Sequence, residues 1–291
     1  MIATASPWAF HPHPASWIGL AGVAALSAGL AHRMRTAHRE DQPGITLRQA
    51  ISLGAGIACL AVAVTWPLAD LAHRYCLLAK MGQNLVLSLV APGLILTGLP
   101  RWFTADLTRP IAVYSTIRFL TLPPVAILIF NGTVIGVQTP PAIAAASRSY
   151  PVSDLVDLGL VLAGAVMWVP FLRIVPGAHP VSTAGRAGYL FVQSLLPNFV
   201  SLAYIFAKHP FYPVFANGAR RLGLDPLLDQ QLAGVLAKAV GVFVLWGAAV
   251  TVLFRASKAQ EAGLDPDPLT WEDVDRELRR LERRHRHVEQ D

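Results

Sequence analysis

Residues 80–100, KMGQNLVLSLVAPGLILTGLP, form an apolar stretch that begins with polar side chains. A helix that crosses a lipid bilayer needs about 20 mostly apolar residues, and this stretch meets that length. Lys80, Gln83 and Asn84 lie about one helical turn apart at its start. Because burying such groups in hydrocarbon is costly unless they find partners, the sequence predicts a transmembrane helix whose first turn faces other polar groups.

The composition is that of a polytopic membrane protein. Of the 291 residues, 54% are hydrophobic and 14% are charged, whereas soluble domains carry about 25% charged residues. The net charge of +6 is explained by basic loops and a basic tail, so it does not indicate nucleic-acid binding. Cys59 and Cys76 belong to no CxxC pair, and we expect neither a disulfide framework nor a cysteine metal site.

Seven apolar runs predict an all-α fold, a bundle of seven transmembrane helices. The runs are 14–32, 50–72, 81–99, 111–131, 154–172, 187–207 and 231–254. In the fourth run, Pro123 and Pro124 predict a kink. The first run has no Lys or Arg before it, so we do not expect a cleavable signal peptide.

The distribution of Lys and Arg predicts the orientation of the bundle. Three loops and the C-terminal segment hold 16 of these residues, and the alternate loops hold 6. Because cytoplasmic loops carry the excess of basic residues, we expect the N-terminus outside and the C-terminus in the cytoplasm. We divide the chain into a transmembrane domain, 1–258, and a basic tail, 259–291. The tail is predicted to form a short amphipathic helix that lies on anionic lipid or docks as a coiled coil.

In this orientation, polar residues at the ends of six predicted helices all fall on the outer side of the membrane. Each could be solvated separately at the interface, but intramembrane polar groups usually turn inward and pair with one another. We therefore predict an outward-facing polar pocket. Its predicted lining is His73, Lys80, Met81, Gln83, Asn84, Asn131, Gln138, Asp157, Asp229 and Gln230.

Motifs for catalysis or for a resident metal are incomplete. His11, His13, His73 and Met81 are candidate ligands of copper or zinc, but His73 and Met81 have no second ligand close in sequence, and the pair of His11 and His13 lacks a third. The apolar runs hold no pair of histidines for haem, and we find no nucleophile–base arrangement or Gly-rich phosphate loop. We therefore predict that the protein is not an enzyme, and the sequence assigns no cofactor, with copper as the candidate.

Four stretches, read in order, share a pattern with one family. Residues 80–100 are similar to a span that reads His-Met-x-Gln-His, then Ala-Pro and a Gly-x-Pro exit. Residues 130–146 and 154–172 are similar to that family's next two spans. Residues 209–238 contain the most distinctive motif, Asp229-Gln-Gln. The chain resembles the polytopic CtaG family of cytochrome c oxidase assembly proteins over roughly residues 50–258.

The resemblance implies a multi-pass assembly factor in the bacterial plasma membrane. It implies the lipid bilayer, oxidase subunits and other assembly factors as partners, and copper handling at the outer face. The histidines expected from the family are replaced here by Lys80, Asn84, Gln138, Ser153 and Asp157. Copper binding therefore stays an open expectation. The alternative is a membrane binding or transport protein for a small polar solute.

Overall fold

A computed structural model describes residues 21, 22, 29, 45–175 and 181–265, and these residues form helices without strands. The helices within 45–265 are α1 Leu47–Val64, α2 Leu68–Arg74, α3 Leu77–Gly98, α4 Arg101–Leu107, α5 Ile111–Leu120, α6 Pro123–Gly136, α7 Pro140–Arg148, α8 Tyr150–Leu172, α9 Thr183–Ile205, α10 Pro213–Arg221 and α11 Pro226–Glu261. The predicted tail helix, His11 and His13 lie outside the described residues.

Five of these helices are long and apolar enough to cross a membrane, and α5 with α6 provides a sixth span if the pair is counted as one. The five are α1, α3, α8, α9 and α11. The predicted first run, 14–32, lies almost entirely outside the described residues. The described part of the chain is thus all-helical with five or six candidate spans, and the count of seven stays a prediction.

Two predicted spans differ from the structure because prolines interrupt them. The run 50–72 is not one helix, since α1 ends at Val64 and α2 begins at Leu68. Pro67 has no N–H to continue the helical hydrogen bonds of the backbone. In the last turn of α1, the Thr65 hydroxyl donates a hydrogen bond to the carbonyl of Ala61. The kink predicted in the run 111–131 is a full break, with a bend of 72° between α5 and α6.

Helix α3 is the central element of the described bundle, and it packs against α1, α2, α8 and α11. A π-helical turn, Val86–Val90, lies in its middle. Trp168 of α8 donates its indole N–H to the carbonyl of Leu89 in this turn, at 2.8 Å. Gly164 brings the α8 backbone against the same turn, where a Cβ at this position would come 2.1 Å from the carbonyl oxygen of Ser88.

This contact predicts a difference between two glycines of α8. Gly164→Ala should lower the free energy of unfolding by about 1–3 kcal/mol, because the added methyl forces α3 and α8 apart. Gly159→Ala is the matched control, since a Cβ there meets open space. Alanine is also the better helix former, by about 1 kcal/mol. Unfolding of the purified protein in detergent measures both changes, and equal effects would contradict the packing argument.

Candidate functional site

The polar residues that begin α3 form a buried ionic cluster with α8. The ammonium of Lys80 lies 3.2 Å from Oδ1 of Asp157 and donates to Oε1 of Gln83 at 2.9 Å. The Gln83 amide donates to Oδ2 of Asp157 at 3.0 Å and to the carbonyl of Ala63 at 2.9 Å. We call Lys80, Gln83 and Asp157 the ionic cluster. The ammonium of Lys80 and the carboxylate of Asp157 therefore balance each other's charge.

Little space remains beside the ionic cluster. The side chains of Lys80 and Asp157 are 7% and 12% exposed. A cavity bordered by Lys80, His73 and Ser153 has a volume of only about 10 Å³. That volume is enough for about one water molecule. The ionic cluster therefore does not offer room for a polar solute.

The Asp-Gln-Gln motif holds two distant segments at the same end of the bundle. Asp229, which is 1% exposed, accepts hydrogen bonds from the backbone N–H groups of Leu77 and Leu78, at 2.7 and 3.0 Å. It thus caps the N-terminus of α3, a role usually filled by a residue next to the helix. Gln230 accepts from the N–H of Phe211 at 2.6 Å, and Gln231 donates to the carbonyl of Ala207 at 3.3 Å. We call this arrangement the Asp229 clamp.

Gln138 connects the loop after α6 to α9 and α10. Its side-chain oxygen accepts from the hydroxyl of Tyr204 at 3.2 Å, and its backbone carbonyl accepts from the hydroxyl of Tyr212. The two tyrosine hydroxyls also lie within hydrogen-bond distance of each other, and since they have only two protons, these three contacts cannot all be hydrogen bonds at once. Both oxygens of Gln138 nevertheless lie within hydrogen-bond distance of a tyrosine hydroxyl.

Asn131 belongs to a separate chain of hydrogen bonds, deeper in the bundle. Its amide donates to Oε1 of Gln193 at 2.7 Å, Gln193 donates to the hydroxyl of Tyr189, and that hydroxyl donates to the carbonyl of Met167. The sequence predicted Asn131 at the outer end of a helix, but it lies in the middle of α6. The pairing with Gln193 explains how an amide is accommodated there.

A larger cavity, of about 350 Å³, lies among α3, α6, α8, α9 and α11. Of the predicted pocket residues, Met81, Asn84 and Gln138 line it. Its other walls are mostly apolar. We call this space the membrane cavity.

All ten residues predicted for the polar pocket are buried, at 9% exposure or less. The structure divides them among the ionic cluster, the Asp229 clamp, the Asn131 chain and the membrane cavity, with His73 beside the ionic cluster. Sequence reasoning missed Gln193, Tyr204 and Lys238. Gln193 and Lys238 carried the same signal as Asn131, a single polar residue inside an apolar run.

The described residues do not provide a set of side chains that could bind a copper ion. No three His, Cys, Asp or Glu side chains come together in the described part of the chain to hold a metal. His73 stacks on the ring of Tyr150, with ring centroids 4.2 Å apart. Met81 packs in an apolar cluster with Leu77 and Tyr204. Burial raises the pKa of the Cys76 thiol to about 11, so it does not provide a thiolate at neutral pH.

The fold and these clusters define a multi-pass membrane protein in which many of the buried polar residues bind one another. The family model described as "Cytochrome c oxidase caa3 assembly factor (Caa3_CtaG)" matches residues 29–259, and the chain belongs to this family. No curated protein and no solved structure shows significant similarity to the chain. The resemblance found in the four sequence stretches is therefore confirmed by the family match. The family indicates a role in assembling cytochrome c oxidase.

Proposed function

We propose that this protein is a membrane-embedded assembly factor that supports oxidase polypeptides without holding copper in its ionic cluster. The observation that carries the proposal is the position of Lys80, whose ammonium contacts both Gln83 and Asp157. A cation of the protein thus occupies the place where the family resemblance implies metal ligands.

Electrostatics and ligand chemistry both support a copper-free cluster. A metal ion beside Lys80 would meet like-charge repulsion in a site with few waters to screen it. Copper favours imidazole, thiolate and thioether ligands. The ionic cluster offers an amine already paired with a carboxylate and one amide.

The proposed orientation places the ionic cluster and the Asp229 clamp on the outer side of the bacterial plasma membrane. Both occupy the helix ends that the Lys and Arg distribution assigns to that side. Partner oxidase subunits would contact the protein within the bilayer, where large apolar side chains such as Phe199 and Phe243 are exposed.

Gene deletion tests the assembly function. Oxidase activity and assembled oxidase subunits are expected to fall in the deletion strain, whereas oxidase transcripts stay constant. Expression of the protein from a plasmid should restore activity. Unchanged oxidase activity in the deletion strain would overturn the proposed assembly role.

A separate experiment tests the copper-free cluster. The full chain, purified in detergent and exposed to Cu(I), is expected to retain less than one copper per protein after desalting, and Lys80→Met should retain no less than the wild type. Added copper in the medium should not rescue the deletion strain. Copper that binds stoichiometrically and is lost with Asp157→Asn would overturn this part of the proposal while leaving the assembly role intact.

A further inference from the structure

The membrane cavity has a size and lining suited to a small amphiphile. Its volume of about 350 Å³ lies at the lower end of the range for ligand pockets, about 300–1,000 Å³. Leu85, Leu89, Phe130 and Leu245 contribute apolar walls. Neither the ionic cluster nor the assembly role accounts for this space.

Three helices depart from regular geometry at the membrane cavity. The π turn of α3, Val86–Val90, lines it through Ser88 and Leu89, and a second π turn, Val242–Trp246 in α11, lines it from the other side. Pro197 within α9 also lines it. Because π turns occur frequently at functional sites and proline removes a backbone hydrogen bond, these irregularities indicate that the cavity is a functional site.

A buried amide lacks a partner at the same place. Asn84 is 6% exposed and lines the membrane cavity, and its Oδ1 atom has no hydrogen-bond partner among the described residues. An unpaired buried polar atom is expensive. A rotation of the side chain exchanges its oxygen and nitrogen, so Asn84 can present a donor or an acceptor to a bound molecule.

A basic side chain also faces this space without a counter-ion. Lys238 lines the membrane cavity, and the described residues give it neither an ion pair nor a hydrogen bond. It lies twelve residues after the start of α11 at Pro226, which is about 18 Å along the helix, and it falls within the apolar run 231–254 that is predicted to span the bilayer. Charged residues at such a depth usually mark a binding site or a pathway.

The membrane cavity lies next to the side of the bundle that faces lipid. Phe191 and Leu195 of α9 and Val242 and Trp246 of α11 line it, and each is between 38% and 47% exposed. The rings of Phe191 and Trp246 contact each other across the two helices, with their centroids 5.6 Å apart. These partly exposed side chains alone separate this part of the cavity from the lipid phase.

From these observations we infer that the membrane cavity binds a long-chain fatty acid, with its carboxylate on Lys238 and Asn84. A carboxylate neutralises the cation, which a neutral quinone or alcohol does not. A single acyl chain suits the limited volume, whereas the body of a two-chain phospholipid exceeds it. This binding is a property of the protein itself and does not depend on the assembly role.

Fluorescence quenching by dibromostearate tests this inference on the purified full chain in a neutral detergent. The bromines should quench Trp246 as the acid binds, and Trp246→Phe should lose most of the saturable quenching. The methyl ester of the same acid should bind about tenfold more weakly, since it lacks the charge that pairs with Lys238. Equal affinities of acid and ester would overturn the inference.

Variants of Lys238 provide the second test. Lys238→Met should weaken binding of the acid about tenfold and leave ester binding unchanged, whereas Lys238→Arg should retain most of the affinity. Lys258→Met, in the same helix but away from the cavity, is the matched control and should bind as the wild type does. Tighter binding of phosphatidylglycerol or of a quinone than of the acid would overturn the proposed ligand class.

Discussion

Asp229→Ala is expected to lower the free energy of unfolding by about 3 kcal/mol or more. The variant removes the carboxylate that accepts hydrogen bonds from the N–H groups of Leu77 and Leu78, and hydrogen bonds to charged groups contribute about 1.5–3 kcal/mol each. The cap of α3 comes from α11, 152 residues away in sequence. Its loss therefore weakens tertiary packing as well as one helix end.

Asp225→Ala is the matched control for Asp229→Ala. Asp225 caps its own helix, α11, by accepting from the N–H groups of Leu227 and Leu228 at the exposed surface. Loss of an ordinary exposed cap costs about 1 kcal/mol. Unfolding by SDS titration measures both variants, and an Asp229 variant no less stable than the Asp225 variant would contradict the clamp.

Lys80→Met is expected to cost about 3–5 kcal/mol of stability, because it leaves the Asp157 carboxylate buried without its counter-ion. The methionine keeps the volume and apolar stem of the lysine, so the change reports mainly on charge. Lys208→Met is the matched control, since Lys208 is exposed. That substitution should change stability by less than about 0.5 kcal/mol.

The double variant Lys80→Met/Asp157→Leu separates the charge pair from simple packing. Buried ion pairs can often be replaced by apolar residues with little net cost, so the double variant should be more stable than Lys80→Met alone. The coupling energy from the full cycle should be at least about 1 kcal/mol. Additive losses in the double variant would show that Asp157 does not depend on Lys80.

The Asp229 clamp and the ionic cluster act on the same turn of α3. The clamp fixes the backbone at Leu77 and Leu78, and the cluster ties Lys80 and Gln83 to α8 and to the carbonyl of Ala63. Together they join α1, α3, α8 and α11 at one end of the bundle. The polar residues that interrupt the apolar pattern therefore hold helices in register.

The sequence predicted the helical class, the approximate spans and the burial of polar groups at helix starts. Lys80, Gln83 and Asn84 were unusual because they precede a long apolar run, and apolar length alone is enough to predict a span. The broken second and fourth runs were harder to place. Proline reveals that a helix is disturbed but not whether it bends or ends, which depends on the neighbouring helices.

The sequence did not predict which buried polar side chains pair with one another. Asp157 and Asp229 were both predicted to line the same pocket as Lys80, and only the packing of α8 against α3 pairs Lys80 with Asp157. Asp229 is instead occupied by backbone N–H groups. Neither choice leaves a trace in local sequence, because the partners are at least 77 residues apart.

The sequence by itself determined that this chain is an all-helical membrane protein of the oxidase assembly family, because apolar length and short motifs are local properties. Only the tertiary structure decided which polar groups satisfy one another and which are left facing a cavity. Asn84 and Gln83 are neighbours in the chain, yet Gln83 is fully paired and the Asn84 oxygen is not. That difference depends on which helix packs against each face of α3.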